Sequence, residues 1–252
     1  MFIDTDAMNN TNLFFSGKSA GKVNFNTSSS NDHLTSESFK TLRTNILFCG
    51  ADIKTIVITS ARENEGKSTI CAELAKSLAE TEKKTLLIDA DMRKSVLLRR
   101  NNASQNFCGL SEFLSGQSNL DKALYNTQNP NFDVIFSGHF PPNPVELLGS
   151  KRFKQLLLDA KSVYDYVILD APPLGSVIDS AVIASACDGA AIVVTPGRIT
   201  VNECAEVKEQ LEKSGCKILG AILNDVDAKR TKHNKNYYYR KYEYSTTKNK
   251  IK

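Results

Sequence analysis

Residues 53–69 read IKTIVITSARENEGKST, in which an apolar run meets a polar loop. The first seven residues are rich in β-branched side chains and have the length of a buried strand. Polar residues follow, and the segment 68–80 then has the apolar spacing of an amphipathic helix. The stretch therefore predicts a strand that passes through a tight polar loop into a helix.

The same alternation of strand and helix recurs along the chain. Further strands are predicted at 85–89, 132–137, 166–170, 190–195 and 217–223, and further helices at 150–163 and 200–214. Near-continuous apolar runs are typical of strands that are covered on both faces. We therefore expect an α/β fold with a doubly wound, mostly parallel sheet, helices on both faces, and ligands at the carboxyl ends of the strands.

The loop after the first strand fits the phosphate-binding pattern G-x-x-x-x-G-K-[ST], except that Ala61 replaces the first glycine. In such a loop, main-chain N–H groups and the positive end of the following helix face phosphate oxygens. Lys67 then reaches the β and γ phosphates, and the Ser68 hydroxyl ligates Mg²⁺. Asn64 tolerates a positive φ in the turn. The candidate nucleotide-binding residues are Ala61, Arg62, Glu63, Asn64, Glu65, Gly66, Lys67, Ser68 and Thr69.

Two acidic strand ends argue against the alternative, a polar turn that contains GKST by chance. LLIDADMR (86–93) ends a strand with Asp89 and Asp91, and VILDAPP (167–173) ends another with Asp170. In a parallel sheet these carboxylates emerge at the same edge as the phosphate loop. Asp170 suits a Mg²⁺ ligand, either directly or through water. Of the other two, one can hold metal while its neighbour accepts a proton from a hydroxyl, although a single aspartate after a strand is also a common turn residue.

Composition limits the remaining possibilities. The 252 residues are 41% hydrophobic and 24% charged, which suits one α/β domain and excludes a collagen-like or wholly disordered chain. The six cysteines are scattered without a C-x-x-C pair, which favours buried thiols over zinc or disulfides. No apolar run approaches the ~20 residues that span a bilayer, and no signal-peptide core opens the sequence. We therefore expect a soluble protein unless a partner recruits it.

Charge and pattern divide the chain into three parts. Residues 1–34 are rich in Asn, Ser and Thr and are expected to be a disordered leader, 35–227 the folded domain, and 228–252 a flexible tail. The tail holds nine Lys or Arg and one Glu, whereas the first 227 residues hold 23 basic and 27 acidic residues. A mildly acidic body thus carries a basic tail. At the start of the domain, apolar spacing predicts a helix from Glu37 to about Phe48, with Ser36 as its N-cap.

These motifs together resemble those of a known family. ITSARENEGKST (58–69) is similar to a Walker A motif, LLIDADMR to the Walker A-prime motif, and VILDAPP to Walker B. GLSEFLSG (109–116), SGHFPPNPVELLGSKRF (137–153) and a tyrosine-rich tail follow the family's pattern as well. In this order they resemble the bacterial tyrosine kinases, specifically the cytoplasmic CpsD/CapB-type kinases of capsule and exopolysaccharide systems. The chain departs from the family at Glu63-Asn64, where Pro-Gly is frequent, and Arg62 falls where related MinD/ParA ATPases carry a lysine.

The resemblance implies a P-loop NTPase fold and an ATP-dependent protein-tyrosine autokinase, with ATP and Mg²⁺ as cofactors. The implied catalytic residues are Asp89, Asp91 and Lys67, and the implied Mg²⁺ ligands are Ser68, Asp91 and Asp170. Asp89 is the candidate that orients or deprotonates the acceptor tyrosine, but the roles of Asp89 and Asp91 can be exchanged. Asn224 matches the position that contacts adenine in the wider P-loop class, and Arg62 contacts either phosphate or solvent.

Five of the eight tyrosines lie within eight residues of the tail, namely Tyr237, Tyr238, Tyr239, Tyr242 and Tyr244. Composition alone also suits binding to an anionic membrane surface or to single-stranded nucleic acid. Beside a phosphoryl-transfer site, these tyrosines are candidate phosphoacceptors, and each phosphate would add about −1.5 to −2 charges. The thirteen residues from Asn224 to Tyr237 extend to at most about 45 Å, which allows modification within one subunit or between neighbours.

Glu37, Lys40 and Arg43 share one face of the first predicted helix and resemble the family's E-x-x-R-x-x-R interface motif, with Lys40 replacing the first arginine. The alternative is a solvent-exposed row of charged residues without an interface role.

The resemblance implies a ring-shaped octamer in which one subunit's tail enters the next subunit's site. It also implies a protein-tyrosine phosphatase that counteracts the kinase. It also implies a cytoplasmic kinase that the cytoplasmic segment of a membrane adaptor recruits to the inner face of the plasma membrane; nucleic acid is not an expected partner. The competing hypotheses are a MinD/ParA-like positioning ATPase whose basic tail binds membrane or DNA, and a nucleotide-binding scaffold without turnover.

Overall fold

The six strands predicted from the sequence lie side by side in one sheet. A computed structural model of the chain describes residues 14–15, 17–27, 33–101 and 107–226. Within these ranges the strands are β1 (Gly21–Lys22), β2 (Thr55–Ser60), β3 (Thr85–Asp89), β4 (Leu124–Asn126), β5 (Phe132–Ile135), β6 (Tyr166–Asp170), β7 (Gly189–Val194) and β8 (Lys217–Leu223). The six that match predicted runs, β2, β3, β5, β6, β7 and β8, all pair in parallel. The prediction of a mostly parallel, doubly wound sheet is confirmed.

The order of the strands assembles the predicted site. It runs β1-β4-β5-β3-β6-β2-β7-β8, so β6 lies between β2, which leads into the phosphate loop, and β3. The register of β3 and β6 places Asp89 directly opposite Asp170. Because the three strands are parallel, their carboxyl ends meet at one edge of the sheet, where a ligand of this fold class binds.

The two strands at one end of the sheet, β1 and β4, have no counterpart among the predicted runs. β4 pairs antiparallel with β5, and β1 pairs parallel with β4, so both run against the other six strands. They contain only three and two residues. Strands this short cannot display an alternating apolar pattern. Periodicity therefore finds the parallel part of the sheet and misses its antiparallel edge.

Helices cover both faces of the sheet. They are α1 (His33–Leu47), α2 (Lys67–Ala79), α3 (Leu97–Arg100), α4 (Leu110–Leu114), α5 (Pro144–Gly149), α6 (Lys151–Val163), α7 (Asp179–Ala184) and α8 (Val201–Lys213), and Leu120–Lys122 form a 3-10 turn. The first helix begins earlier than predicted, so Ser36 lies inside α1 and is not its N-cap. The residues before Ser36 continue the helix although they lack the apolar repeat on which the prediction rests. No helix in the described ranges is long and apolar enough to cross a membrane.

Among the described residues the hydrophobic core forms two apolar clusters, one on each face of the sheet. Along β3, Leu86 and Ile88 belong to one cluster and Leu87 to the other, and all five residues of the strand are buried. Each buried side chain of this size contributes about 1.5–3 kcal/mol to stability. Burial on both faces explains why the central strands have unbroken apolar sequences.

Part of the segment expected to be a disordered leader packs on this core. Phe14 and Phe15 pack against the first cluster, β1 extends the sheet, and Phe25 is buried in the second cluster. The Phe25 ring lies 5.1 Å from that of Phe132, and the Gln128 side chain exchanges two hydrogen bonds with the Phe25 main chain. The expectation fails for these residues because isolated aromatics give no periodic signal. The domain boundary at residue 35 stays a prediction.

We expect Phe25→Ala to destabilise the folded chain by about 3–5 kcal/mol, because it removes a large buried side chain and leaves a cavity. The free energy of unfolding from urea denaturation measures the effect. Phe140→Ala is the matched control, since Phe140 is 64% exposed and its loss is expected to change stability by less than about 0.5 kcal/mol. Equal effects of the two substitutions would show that the segment before α1 is not part of the core.

Candidate active site

The phosphate loop joins β2 to α2 and contains two residues in the left-handed region. Asn64 has φ 60°, and Gly66, the N-cap of α2, has φ 87°. The positive φ of Gly66 favours glycine, and a Cβ atom there would in addition force the side chain of Asn224 to move. The predicted positive φ of Asn64 is confirmed, because asparagine tolerates this conformation better than other residues with a Cβ atom.

Ion pairs hold the loop from both sides. Glu63 pairs with Lys94, which follows β3, at 2.6 Å, and this contact lowers the pKa of Glu63. Arg62 pairs with Glu203 of α8, also at 2.6 Å. Arg62 is therefore a largely exposed loop arginine that is turned towards α8. Of the two alternatives for Arg62, this structure has the exposed one.

The first turn of α2 brings Lys67 and Ser68 to the end of β6. Lys67 and Asp170 are only 7% and 1% exposed. Asp170 Oδ1 accepts a hydrogen bond from the Cys71 thiol at 3.7 Å, whereas Oδ2 is buried without a hydrogen-bond partner. Burial raises the pKa of Asp170, although Ser68 and Lys67 act in the opposite direction. A buried carboxylate oxygen without a partner, beside a serine hydroxyl and a lysine, fits a site for a cation and phosphate oxygens.

The two aspartates that follow β3 differ in exposure. Asp91 lines the cleft beside the phosphate loop, and its Oδ1 accepts hydrogen bonds from the main-chain N–H groups of Arg93 and Lys94, at 3.2 and 3.0 Å. Asp89 is fully buried, and burial together with the charge of Asp170 raises its pKa well above the usual value. Its Oδ2 accepts a hydrogen bond from the Ser95 hydroxyl, and its Oδ1 has no partner. Asp91 thus faces the cleft, and Asp89 lies beneath it.

The cleft has a volume of about 310 Å³. Its predicted lining residues are Glu63, Asn64, Gly66, Lys67, Ser68, Thr69 and Asp91. Lining residues that the sequence analysis did not assign are Arg93, Lys94, Val96, Arg99, Arg100, Pro172, Pro173, Ser176 and Val177. Most of these unassigned residues lie in 93–100 and 172–177, directly after the strand ends that carry Asp91 and Asp170. Their place after the two acidic motifs is therefore a signal in the sequence that could have identified them.

Arg93 acts as a structural link. Its guanidinium makes two hydrogen bonds to the buried carboxylate of Asp179 in α7, at 2.9 and 3.2 Å, and these bonds raise the pKa of Arg93. A bidentate arginine–carboxylate pair fixes both distance and orientation. On the other wall, Arg100 donates to the Thr69 hydroxyl at 2.9 Å. These contacts join α7 to the segment that follows β3, and α3 to α2.

Asn224 follows β8 and lies behind the phosphate loop. Its side-chain amide donates to the Glu65 carbonyl at 2.8 Å. The described cleft lining contains neither Asn224 nor Glu65. The adenine contact of Asn224 stays a prediction, and here the side chain contacts the protein.

The remaining predicted residues lie away from the cleft. On α1, Glu37 and Lys40 form an exposed ion pair of 2.7 Å, while Arg43 donates to the Ser77 carbonyl of α2 at 2.8 Å. The predicted shared face thus includes one residue that packs within the chain, and the interface role stays a prediction. Tyr237, Tyr238, Tyr239, Tyr242 and Tyr244 lie outside the described residues.

The described residues gather no three His, Cys, Asp or Glu side chains in a metal-binding arrangement. Mg²⁺ that binds with a nucleotide typically takes one or two protein carboxylates, and its other ligands are phosphate oxygens and water. The unpartnered oxygen of Asp170, with Asp91 on the cleft wall, meets that requirement.

Comparison with known proteins places the chain in a family. Residues 53–228 match the family described as AAA domain. The tyrosine-protein kinase CpsD of Streptococcus agalactiae is 47% identical over 193 residues, which are 77% of this chain and 84% of that protein. The tyrosine-protein kinase YwqD of Bacillus subtilis (strain 168) is 40% identical over 208 residues, 82% of this chain and 86% of that protein.

Solved structures agree with these relatives. The chimerical protein CapA2B2 superposes with a TM-score of 0.74 at 33% identity and covers 82% of this chain and 94% of its own. The kinase domain of the Escherichia coli tyrosine kinase ETK has a TM-score of 0.71 at 37% identity, over 76% and 75% of the two chains. The septum site-determining protein MinD of Pyrococcus horikoshii OT3, complexed with Mg-ADP, is less similar, with a TM-score of 0.58 at 26% identity over 68% and 70%. This chain therefore belongs to the family of bacterial tyrosine-protein kinases.

Proposed function

We propose that the chain transfers the γ-phosphoryl group of ATP to the tyrosines of its own tail, at the cleft between the phosphate loop and the end of β3. The observation that supports the proposal most directly is that buried Lys67 begins α2 at the rim of a parallel sheet, where a buried Asp170 oxygen has no hydrogen-bond partner. A chain with this rim also carries five tyrosines within eight residues. Catalysis of phosphoryl transfer depends mainly on positioning the reactants and on stabilising the charge of the transferred group. The phosphate loop, Lys67 and the aspartates at the rim can do both.

The loop and α2 supply the nucleotide site. Main-chain N–H groups of the loop other than that of Arg62, which donates to Glu65, hold the phosphates together with the N-terminus of α2, and Lys67 contacts the β and γ phosphates. Ser68, Asp91 and Asp170 hold Mg²⁺, directly or through water. When bound, Mg²⁺ would neutralise charge that develops on the phosphate oxygens. Lys67 reaches this position because it begins α2, directly after the left-handed Gly66.

Proton transfer from the acceptor tyrosine falls to Asp89 or Asp91. The family resemblance implies that Asp89 takes the proton and Asp91 holds the metal, whereas the position of Asp91 on the cleft wall supports the exchanged assignment. The raised pKa of Asp89 would make it the stronger base once it is ionised. A bound cation would lower that pKa again, because an opposite charge favours the ionised form.

Lys67→Met is expected to weaken binding of Mg·ATP by about 100-fold or more and to abolish tyrosine labelling, because it removes the charge that contacts the phosphates. Equilibrium binding of Mg·ATP and incorporation of labelled phosphate measure the two effects. Lys83→Met, a change at an exposed lysine of the same charge, serves as control. Undiminished labelling in the Lys67 variant would contradict the assignment of the phosphate loop.

Asp89→Asn is expected to keep Mg·ATP binding within about threefold, because Asp89 lies beneath the cleft and Lys67 remains in place. Transfer is expected to fall by about 10²–10⁴-fold, the usual contribution of a general base. The unfolding temperature is not expected to drop, since the variant removes one of two facing buried carboxylates. Full transfer by this variant, with loss of transfer in Asp91→Asn, would exchange the two roles.

The tail assignment is tested by changing all five tail tyrosines to phenylalanine. This variant is expected to lose tyrosine labelling and retain Mg·ATP binding, whereas changing Ser245, Thr246 and Thr247 to alanine leaves labelling intact. Mass spectrometry of the tail after incubation with Mg·ATP gives the sites, and the adaptor's cytoplasmic segment belongs in the reaction. Phosphate release without labelled tyrosine, together with tail-dependent binding to anionic vesicles or DNA, would instead support a MinD/ParA-like positioning ATPase. The absence of both products would support a scaffold.

We extend the proposal to the binding partners of the chain and to its location in the cell. The chain acts on the cytoplasmic side of the plasma membrane, to which a membrane adaptor recruits it, and regulates the production of capsule or exopolysaccharide. It assembles as a ring, proposed to be octameric, through the α1 face that carries Glu37, Lys40 and Arg43, and one subunit's tail enters its neighbour's cleft. A protein-tyrosine phosphatase reverses the modification. The family membership and the exposed Glu37–Lys40 pair support this extension.

A further inference from the structure

Glu65 is a charged residue in the middle of the phosphate loop, yet it is only 1% exposed. An ionised carboxylate is buried at this depth only when it is paired or well hydrogen-bonded. Its neighbours on both sides, Asn64 and Gly66, have positive φ. The loop thus turns in the left-handed region immediately before and after a side chain that points away from solvent.

The Glu65 carboxylate accepts hydrogen bonds from two main-chain donors in different parts of the fold. Oε2 accepts from the N–H of Arg62 at 2.9 Å, within the loop itself. Oε1 accepts from the N–H of Thr195 at 3.2 Å, directly after β7. One side chain therefore closes the loop on itself and attaches it to the end of the neighbouring strand.

The main chain of Glu65 is held as well. Its carbonyl accepts from the Asn224 amide at 2.8 Å and from the Thr195 hydroxyl at 3.4 Å. Asn224 in turn is fixed by its N–H, which donates to the Val194 carbonyl at 2.9 Å. Arg198 holds the preceding residue by donating to the Asn64 carbonyl at 3.0 Å. The ends of β7 and β8 thus form a rigid support for the centre of the loop.

We propose that the Glu65 carboxylate is a positioning residue that shapes the phosphate loop for the nucleotide before it binds, and that Asn224 acts with it through the Glu65 carbonyl. The inference rests on the nucleotide site proposed above. Loop residues with positive φ relax to other conformations unless their surroundings hold them. Preorganised donors bind an anion more tightly because no ordering is needed on binding. Since the carboxylate lies behind the loop, its effect falls on phosphate binding and not on the transfer step.

The test compares Glu65→Ala and Glu65→Gln with Glu206→Gln, a control at an exposed residue of α8. The probes are Mg·ATP and Mg²⁺ with inorganic tripolyphosphate, which lacks a base and a sugar. Glu65→Ala is expected to weaken binding of both probes by the same factor, about tenfold or more, as expected for the loss of charge-assisted hydrogen bonds. Glu65→Gln retains one acceptor oxygen and is expected to lose less. At saturating ATP, kcat is expected to stay within about twofold in both variants.

Amide hydrogen exchange distinguishes a local change in the phosphate loop from a loss of overall stability. The N–H groups of Arg62 and Thr195 are expected to exchange faster in Glu65→Ala, while amides in the centre of β3 keep their protection. Wild-type affinity for both probes in the folded variant would overturn the inference, as would a loss confined to Mg·ATP. If Glu65→Ala does not fold, the affinity and exchange of Glu65→Gln decide by the same criteria. Failure of the unaltered protein to bind either probe would contradict the nucleotide site itself, not the role of Glu65.

Discussion

Two buried carboxylates, those of Asp89 and Asp170, lie opposite each other at the carboxyl ends of adjacent strands. The other residues of the site are arranged around this pair of charges. Asp89 and Asp170 are partners in the register of β3 and β6, and burial and mutual repulsion raise the pKa of Asp89. The charge of Lys67 acts on Asp170, whose Oδ1 also accepts a weak hydrogen bond from the Cys71 thiol. Such a pair of carboxylates is unfavourable by itself, and a bound cation would relieve the repulsion. The two buried carboxylates therefore favour a nearby cation, which a metal ion bound with a nucleotide would supply.

The phosphate loop shows how long-range contacts replace local stiffness. This chain has Glu63-Asn64 ahead of Glu65 in the loop, and neither residue restricts the backbone as proline does. Contacts from outside the loop supply the restraint: Lys94 holds Glu63, and Arg198 holds the Asn64 carbonyl. A departure from a motif thus does not by itself imply a mobile loop. The contacts that restrain the loop can come from residues that are far away in sequence.

The parallel strands and the edge of the sheet that carries the candidate site could be predicted from the sequence, because both produce strong local patterns. Apolar β-branched runs reveal strands covered on both faces, and GKST with two acidic strand ends marks one edge of the sheet. Sequence reasoning missed β1 and β4, which are too short for a pattern, and the packing of Phe25, which depends on Phe132 more than a hundred positions later. It also could not distinguish Asp89 from Asp91, because both follow the same strand. Only the side-chain directions after β3 place one beneath the cleft and the other on its wall.

The segment before α1 has a consequence for the preparation of shortened forms of this protein. Between Phe14 and Phe25 the described residues pass from one face of the sheet, along β1 at its edge, to the other face. A fragment that starts at residue 35 would lose the edge strand and the Phe25 ring, which contacts the rings of Phe132 and Phe136. It would expose the open side of β4 and apolar surface together, a combination that promotes aggregation. Fragments for crystallisation should therefore keep the residues from Phe14 onward.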